Sequence, residues 1–243
     1  MTLPLFVVDD LTADRGLIRL EGEEGRHAVV VRRLRVGEHL LLTDGRGGEV
    51  TAQIQETSKS GLVASVLRSE RLPAPSPRLT VVQAIPKGER ADLAVEVLTE
   101  IGADVIVPWA ASRCVAVWRG DRAEKSLARW RKTAREAAKQ SRRRWHPEVT
   151  EQIDTAAVAE LLAGADAGLV LHEDARSGID TVSFETAANV VLVVGPEGGI
   201  APEELAAFAG AHQVRLGSEV LRTSTAGVAA AAAVLSRTAR WQA

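Results

Sequence analysis

The sequence predicts an α/β fold in which a parallel sheet carries helices on both faces, preceded by a small β-rich domain. Three observations lead to this prediction. Beyond residue 79, short apolar runs alternate with helical segments, the rhythm of βαβ units. The run at 190–194 is apolar throughout, as expected of a strand buried on both faces of its sheet. Three prolines between residues 73 and 77 separate this part from an earlier section of short strands and glycine turns, because proline interrupts helices and central strands.

The first section, residues 1–72, contains the pattern of a β-hairpin. Residues 40–43 lead through the glycine-rich stretch 44–48 into the alternating segment 49–54, which predicts two antiparallel strands of a small barrel. Residues 25–35 add four arginines beside this hairpin. The section is therefore predicted to be a small β-rich domain with a basic edge.

Residues 73–78 form the predicted linker, and residues 79–243 form the predicted second domain. Its strands are predicted at 79–84, 104–107, 148–153, 168–171, 189–194 and 213–216. Its helices are predicted at about 89–101, over the basic segment that follows the second strand, at 155–162, from Pro202 onward, and over the alanine-rich C-terminal stretch. Alanine is the strongest helix former, which supports the last of these.

The glycine-rich turn at 195–199 follows the apolar strand and precedes a helix that Pro202 is suited to open. Three glycines in five residues allow positive φ and a close approach of the backbone to a ligand. The turn lacks the G-x-G-x-x-G spacing of dinucleotide sites and the Gly-Lys-Ser/Thr of a P-loop, and Glu197 would repel a pyrophosphate. These features favour a neutral or cationic ligand over a nicotinamide cofactor, with a tight turn that binds nothing as the alternative.

A second segment, 216–226, reads Leu-Gly-Ser-Glu-Val-Leu-Arg-Thr-Ser-Thr-Ala. Together with the glycine turn it resembles the SPOUT class of RNA methyltransferases, and most closely the RsmE family, which methylates uracil N3 of 16S ribosomal RNA. Two positions depart from the family pattern, since Val97 stands where a lysine is expected and Ser224 where an acid is common. The resemblance covers roughly residues 79–243, with further matching segments at 86–88, 99–102, 106–108, 140–142 and 171–173.

The resemblance implies an S-adenosyl-L-methionine-dependent methyltransferase with a trefoil-knotted sheet, a PUA-like first domain and no metal site. Arg222 and Glu197 are the implied catalytic residues, with a structural ion pair as the alternative role of Arg222. The residues expected to hold the cofactor are Leu171, Val194, Gly195, Pro196, Gly198, Gly199, Leu216, Gly217, Leu221, Thr223, Ser224, Thr225 and Ala226.

The resemblance also implies a homodimer, and the alanine-rich stretch 226–235 suggests where its interface lies. Small side chains allow another helix to approach closely, and packing against the protein's own sheet would use one face of the helix. We expect the other face to contact the second subunit, with Ala230 and Ala233 as candidate positions.

The charge of the chain is unevenly distributed. The net charge is −2 overall, yet residues 119–144 contain eleven lysines and arginines against three acids, a local charge of +8. A basic segment on an otherwise acidic protein indicates a polyanion, here backbone phosphate. The family resemblance implies that this polyanion is 16S ribosomal RNA in the small ribosomal subunit. For the middle of the segment a solvated helix face is favoured, and for Trp130 a core position. The predicted RNA contacts are Arg26, Arg32, Arg33, Lys87, Lys139, Arg142, Arg143 and Arg144.

The composition is typical of globular proteins, with 46% hydrophobic and 26% charged residues. No apolar run approaches the ~18 residues of a membrane span, and the first ten residues lack the basic start of a secretory signal. We therefore expect a cytoplasmic protein without a membrane partner. The single Cys114 excludes a disulfide framework and gives no zinc cluster.

Two alternative functions stay open on the sequence. The first is another SPOUT substrate, such as a ribose 2′-hydroxyl of tRNA, although an N-terminal β-domain disfavours the minimal tRNA enzymes. The second is a non-catalytic RNA-binding or ribosome-assembly factor. Such a factor would keep the basic segment but would have no need of a glycine-lined cofactor loop.

Overall fold

The computed structural model describes residues 3–241, which divide into two compact units. The first unit comprises the residues up to Ala74 together with Ala138–His146, and the second comprises Pro75–Ala137 and the chain from Pro147 onward. The first division falls inside the proline-rich linker. The predicted second domain contains every residue after that linker. In the structure, the internal segment Ala138–His146 belongs to the first unit instead.

The first unit contains a five-stranded sheet in the order β1-β3-β4-β5-β2. β1 pairs with β3 in parallel, and the other neighbours pair antiparallel. The predicted hairpin is confirmed as β3 and β4, and its inward side chains Leu40, Leu42 and Ile54 are buried. The strands are β1 (Leu5–Val7), β2 (Leu17–Leu20), β3 (His39–Thr43), β4 (Gly48–Thr57) and β5 (Leu62–Arg71).

The arginine-rich segment between β2 and β3 is helical. Helix α1 (Gly22–Arg26) continues into a π-helical turn (His27–Val31), although its run of valines is more typical of strands. Ala28 is buried in the core of the unit, and the His27 ring meets the Phe6 ring edge-on with centroids 5.8 Å apart. These two contacts anchor the segment and leave its arginines exposed.

The second unit contains a seven-stranded sheet in the order β10-β12-β9-β11-β6-β7-β8, and each neighbouring pair is parallel. The predicted parallel α/β sheet is thereby confirmed, and the trefoil knot stays a prediction. The strands are β6 (Arg78–Ala84), β7 (Val105–Trp109), β8 (Glu148–Val149), β9 (Ala167–Leu171), β10 (Ser177–Gly178), β11 (Asn189–Val194) and β12 (His212–Arg215).

Within the described residues, five α-helices accompany the strands of this sheet along the chain. None of the helices within residues 3–241 combines the length and the apolar character that crossing a bilayer requires. The helices are α2 (Arg90–Ile101), α3 (Asp121–Gln140), α4 (Thr155–Ala163), α5 (Pro202–Ala207) and α6 (Thr223–Leu235).

Strand β11 shows why the sheet is buried on both faces. Val190, Leu192 and Val194 pack with residues of α2 and α6 in one core cluster. Val191 and Val193 pack with residues of α4 in a second cluster. Because side chains alternate along a strand, the two clusters lie on opposite faces of the sheet. This explains the uniformly apolar run from which the strand was predicted.

The predicted strand at 148–153 is too long, because β8 has only two residues. In the parallel ladder, Thr150 donates its N–H to the carbonyl of Ile106 at 3.1 Å. The next bond would need a backbone N–H at Pro108, which proline does not have. Ile153 then donates to the Pro108 carbonyl at 2.9 Å, outside the regular register.

Helix α6 uses its alanines mainly to pack within the chain. Ala230 is fully buried, and Ala233 packs against the core cluster that includes α2. The prediction of Ala230 as an interface residue is therefore wrong, since packing within the chain already covers it. Ala233 is half-exposed, and its place in an interface stays a prediction. Half-exposed positions outside that cluster are Val228, Ala229 and Ala232.

Ala230→Leu should destabilise the fold. A larger side chain has no space at a fully buried Cβ, and overpacking of this kind lowers the free energy of unfolding by roughly 1–3 kcal/mol. Urea denaturation followed by circular dichroism measures the change. The matched control is Ala206→Leu, at an exposed position of α5, with an expected effect within about 0.5 kcal/mol. Equal effects of the two substitutions would contradict this account.

Candidate functional site

The carboxyl ends of three adjacent parallel strands bring predicted ligand-binding segments together. β12 lies beside β9, with Val214 opposite Leu171, and β11 lies on the other side of β9. Because these strands run in one direction, Leu171, the 195–199 turn and residues 216–217 meet at one edge of the sheet. This is the edge at which open α/β sheets bind ligands.

The start of α6 is held at the same edge. Gln83, near the end of β6, is fully buried and donates from Nε2 to the carbonyl of Thr223 at 3.3 Å. Further along, α6 approaches β11 so closely that a Cβ on Gly227 would lie 3.3 Å from Cγ2 of Val194. The predicted segment 221–226 therefore joins the other segments in one site.

The glycines of this site are required for different reasons. A Cβ on Gly195 would lie 2.6 Å from Cγ1 of Ile200, so packing within the chain already demands glycine there. Gly199 has a φ of 73°, which residues with a side chain rarely adopt. A Cβ on Gly217 would meet, among the described residues, only Oε2 of Glu219 at 3.7 Å. The fold therefore leaves space beside Gly217.

Arg113, which the sequence analysis missed, covers one side of the glycine turn. Its Nη1 donates to the carbonyl of Gly198 at 3.2 Å. A Cβ on Gly198 would lie 3.1 Å from Cβ of Arg113. Arg113 belongs to the loop after β7, and no motif in the sequence links it to the turn.

The two residues predicted to act in catalysis occupy different parts of the site. Glu197 is exposed, and its Oε1 accepts a hydrogen bond from the backbone N–H of Lys87 at 3.3 Å. Arg222 is exposed immediately before α6, where its carbonyl accepts from the N–H groups of Thr225 and Ala226, each at 2.8 Å. Among residues 3–241 no carboxylate forms a salt bridge with Arg222, so the structure gives no support to the alternative ion-pair role.

Three of the six side chains of the 221–226 segment are buried or bonded locally. Thr223 and Ser224 are buried, and the hydroxyl of Thr225 donates to the carbonyl of Arg222 at 3.3 Å. Leu221 is exposed. The segment can therefore offer a ligand its backbone groups, the apolar side chain of Leu221 and the guanidinium of Arg222, rather than a set of hydroxyls.

Cys114 lies beside the site without the properties of a nucleophile. Burial is the main reason that the pKa of its thiol lies above the ordinary value, and the nearby carboxylates of Glu197 and Glu204 raise that pKa further. A raised pKa keeps the thiol protonated at neutral pH. Cys114 therefore acts as a packed side chain.

Two predicted RNA contacts are engaged inside the first unit. Nζ of Lys139 lies 2.6 Å from Oε1 of Glu24, and both side chains are largely buried. Arg144 forms two hydrogen bonds to Glu49, at 2.7 and 3.0 Å, and this pairing raises the pKa of its guanidinium. The prediction is corrected for Lys139, because its side chain is only 10% exposed and Glu24 neutralises its charge. Arg144 is exposed beside its pairing with Glu49, so its RNA contact stays a prediction.

The remaining predicted RNA contacts are more accessible. The guanidinium of Arg142 contacts the carbonyl of Leu3. Trp130 is buried and packs edge-on against Trp118 with ring centroids 5.0 Å apart, which confirms its core position. The exposed members of the predicted set are Arg26, Arg32, Arg33, Lys87, Arg142 and the paired Arg144, and Arg143 is partly buried.

Comparison with known proteins assigns the chain to a family. A model described as "RNA methyltransferase domain" matches residues 73–235, and one described as "RNA methyltransferase PUA domain" matches residues 20–67. A relative from Mycobacterium bovis, "Ribosomal RNA small subunit methyltransferase E", is 48% identical over 249 residues, which cover 100% of this chain and 95% of the relative. The chain belongs to the ribosomal RNA small subunit methyltransferase E family. A Bacillus subtilis relative of the same name is 27% identical over 90% of each chain.

Solved structures of similar proteins agree with this family assignment. The Neisseria gonorrhoeae ribosomal RNA small subunit methyltransferase E bound to S-adenosyl methionine is 29% identical, with a TM-score of 0.85 and coverage of 97% of this chain and 98% of that one. The putative Legionella pneumophila methyltransferase Lpg2936, in complex with SAM, is 27% identical, with a TM-score of 0.86 and coverage of 98% and 99%. The PUA-like first domain and the parallel-sheet second domain are thus shared with members of the family.

Arg144→Ala should lower the free energy of unfolding, because Glu49, with a side chain 9% exposed, would lose its cationic partner. Loss of a hydrogen bond to a charged group costs about 1.5–3 kcal/mol, and the 42% exposure of Arg144 favours the lower end of that range. Urea denaturation measures the change.

Two further variants make this test specific. Arg32→Ala removes an exposed arginine that has no salt bridge among the described residues, with an expected effect within about 0.5 kcal/mol. Combining Arg144→Ala with Glu49→Gln should cost less than the sum of the two single changes. Strict additivity would show that the two side chains do not stabilise each other.

Proposed function

We propose that this protein transfers a methyl group from S-adenosyl-L-methionine to N3 of a uracil in the 16S ribosomal RNA of the small ribosomal subunit. The observation that carries the proposal is the convergence of the 195–199 turn, residues 216–217 and the 221–226 segment at one sheet edge, in a chain of the family of ribosomal RNA small subunit methyltransferases. With this substrate the protein would act in the cytoplasm.

The residues at this edge fit the proposed methyl donor. The space beside Gly217 would admit part of the ligand close to the backbone, and Leu171 would close one edge of the adenine site. Oε1 of Gln83 is a buried acceptor without a hydrogen-bond partner among the described residues, which indicates unused polar capacity next to α6. The exposed carboxylate of Glu197 suits a ligand that is positively charged at sulfur.

The reaction requires positioning, removal of a proton and charge stabilisation. When bound, S-adenosyl-L-methionine would supply an electrophilic methyl group on its sulfonium, and its sulfur would leave as a neutral thioether. Uracil N3 carries an imide proton, which must leave before or during formation of the N–methyl bond, so negative charge develops on O2 and O4. The guanidinium of Arg222 would stabilise that charge, and the glycine turn would help to position the bound donor.

RNA would reach the site with help from exposed cations. Arg26, Arg32 and Arg33 surround the helical segment of the first unit, and Arg142 lies on the same unit. Such contacts recognise backbone phosphate without reading sequence. The choice of target base would then depend on the methyl-transfer site itself.

The proposed activity is tested by the identity of the methylated nucleoside. Purified protein is incubated with small-subunit ribosomal RNA and methyl-labelled S-adenosyl-L-methionine, and the RNA is digested and analysed by mass spectrometry. Label in 3-methyluridine supports the proposal. Label in a 2′-O-methyl nucleoside would replace it with the alternative substrate, and RNA binding without cofactor binding would favour the non-catalytic role.

Gly217→Ala should weaken binding of S-adenosyl-L-methionine without damaging the fold. The new Cβ meets no closer contact within the chain than 3.7 Å, so it would intrude only on the ligand. An added methyl without room costs roughly 1–3 kcal/mol, and Kd should rise by about a factor of ten or more. Titration calorimetry measures Kd. Gly210→Ala is the matched control, because its Cβ would meet nothing within 4 Å, and equal affinities of the two variants would argue against this site.

We also propose that the protein is a homodimer, with the half-exposed face of α6 in its interface. Ala232→Trp should then yield monomer or aggregate and lose activity, because a face of small side chains admits no indole. Sedimentation velocity measures the oligomeric state. Ala206→Trp, at an exposed position of α5, is the control and should leave assembly unchanged. A fully active monomer of the unmodified protein at assay concentration would end the proposal.

A further inference from the structure

Glu204, in the first turn of α5, is a buried carboxylate that the sequence analysis did not single out. Its residue is 5% exposed, and no salt bridge to it is present among the described residues. A carboxylate in such surroundings is costly unless hydrogen bonds replace its water. The position of Glu204 therefore depends on the donors around it.

Three donors from three segments of the second unit satisfy this carboxylate. Oε1 accepts from the backbone N–H of Ser112 at 2.8 Å and from Oγ1 of Thr155 at 3.1 Å. Oε2 accepts from the backbone N–H of Ala201 at 3.0 Å. Ser112 follows β7, Thr155 begins α4, and Ala201 immediately precedes α5. Nε1 of Trp109 in turn donates to Oγ1 of Thr155 at 3.3 Å.

These bonds reach the glycine turn from both sides. Ala201 is two residues beyond the end of the 195–199 turn, and the side chain of the intervening Ile200 packs where a Cβ on Gly195 would stand. On the other side, Ser112 precedes Arg113, whose guanidinium donates to the carbonyl of Gly198. The carboxylate therefore fixes both the downstream end of the turn and the loop that lies against it.

We propose that Glu204 is a positioning residue, which holds the 195–199 turn and the 112–113 loop in the arrangement that receives the methyl donor. This role rests on the proposed function of the same site. Glu204 itself need not touch the ligand. Its effect is to raise the fraction of molecules in which the turn is already formed, and apparent affinity falls in proportion when that fraction falls.

Glu204→Gln tests the arrangement with almost no change of shape. Glutamine replaces one acceptor oxygen by an NH2 group, which must then face the N–H donor of either Ser112 or Ala201. The affected segment loses its bond while the core packing is kept. If the formed fraction drops to about one tenth, Kd for S-adenosyl-L-methionine rises about tenfold, and kcat at saturating cofactor stays within about twofold.

The control and rescue variants separate positioning from general stability. Glu203→Gln makes the same chemical change on the exposed neighbouring side chain and should leave Kd unchanged. Thr155→Val removes one donor to Glu204 and should raise Kd in the same direction, whereas Thr155→Ser keeps the hydroxyl and should restore it. Amide hydrogen exchange should become faster at Ser112 or Ala201 in Glu204→Gln.

The experiment uses the full-length protein, titration calorimetry with S-adenosyl-L-methionine, and initial rates at varied cofactor concentration. A folded Glu204→Gln variant with unchanged Kd overturns the positioning role. If that variant does not fold, equal Kd values for Thr155→Val and Thr155→Ser overturn it instead. Absence of binding by both the unmodified protein and Glu203→Gln would reject the proposed function itself, which is a different outcome.

Discussion

The parallel pairing of β11 with β6 and β9 is the constraint on which both the fold and the site depend. Val194 stands opposite Gln83, and Val193 stands opposite Val170, so the three strands end close to one level. The loops that follow these strands must therefore lie together at the carboxyl ends of the strands. Because β11 lies between two neighbours and under helices on both sides, it must be apolar on both faces. A slip of one residue would exchange the side chains of the two core clusters and would separate Gln83 from the start of α6.

Three carboxylates that are largely shielded from solvent hold loops and chain segments together through hydrogen bonds. Glu204 joins three segments through backbone and hydroxyl donors. Glu49 holds Arg144, and so attaches an internal segment to the sheet of the first unit. Asp104 accepts from the N–H of Leu79 at 2.9 Å and lies 2.6 Å from Nη1 of Arg240, near the end of the described chain. Each of these three carboxylates accepts at least one hydrogen bond from a donor distant in sequence, which offsets the cost of its burial.

The sequence predicted those elements whose signal lies in neighbouring residues, such as the apolar run of β11, the β3–β4 hairpin and the glycine turn. The sequence-based prediction failed where a residue far away in the sequence determines the local structure. The length of β8 depends on the missing N–H of Pro108, which lies on another strand. Contacts from Gly198 to Arg113 and from Glu204 to Ser112 span 85 and 92 residues. The pairing of Arg144 with Glu49 spans 95 residues, and nothing within the basic segment itself indicates which of its cations have internal partners.

The glycines show how a motif can serve the chain and its ligand together. Gly195 and Gly217 are both predicted to bind the cofactor, but the structure distinguishes them. The side chain of Ile200 requires glycine at residue 195 whether or not a ligand binds. Beside Gly217 the described residues leave space. The first glycine belongs to the same arrangement as Glu204, which forms the turn before a ligand arrives. Binding energy is then not consumed in ordering the loop, which is the advantage of preorganisation. Packing within the chain therefore requires glycine at residue 195, whereas at residue 217 only a ligand would require it. Only glycines of the second kind give information about the ligand of the site.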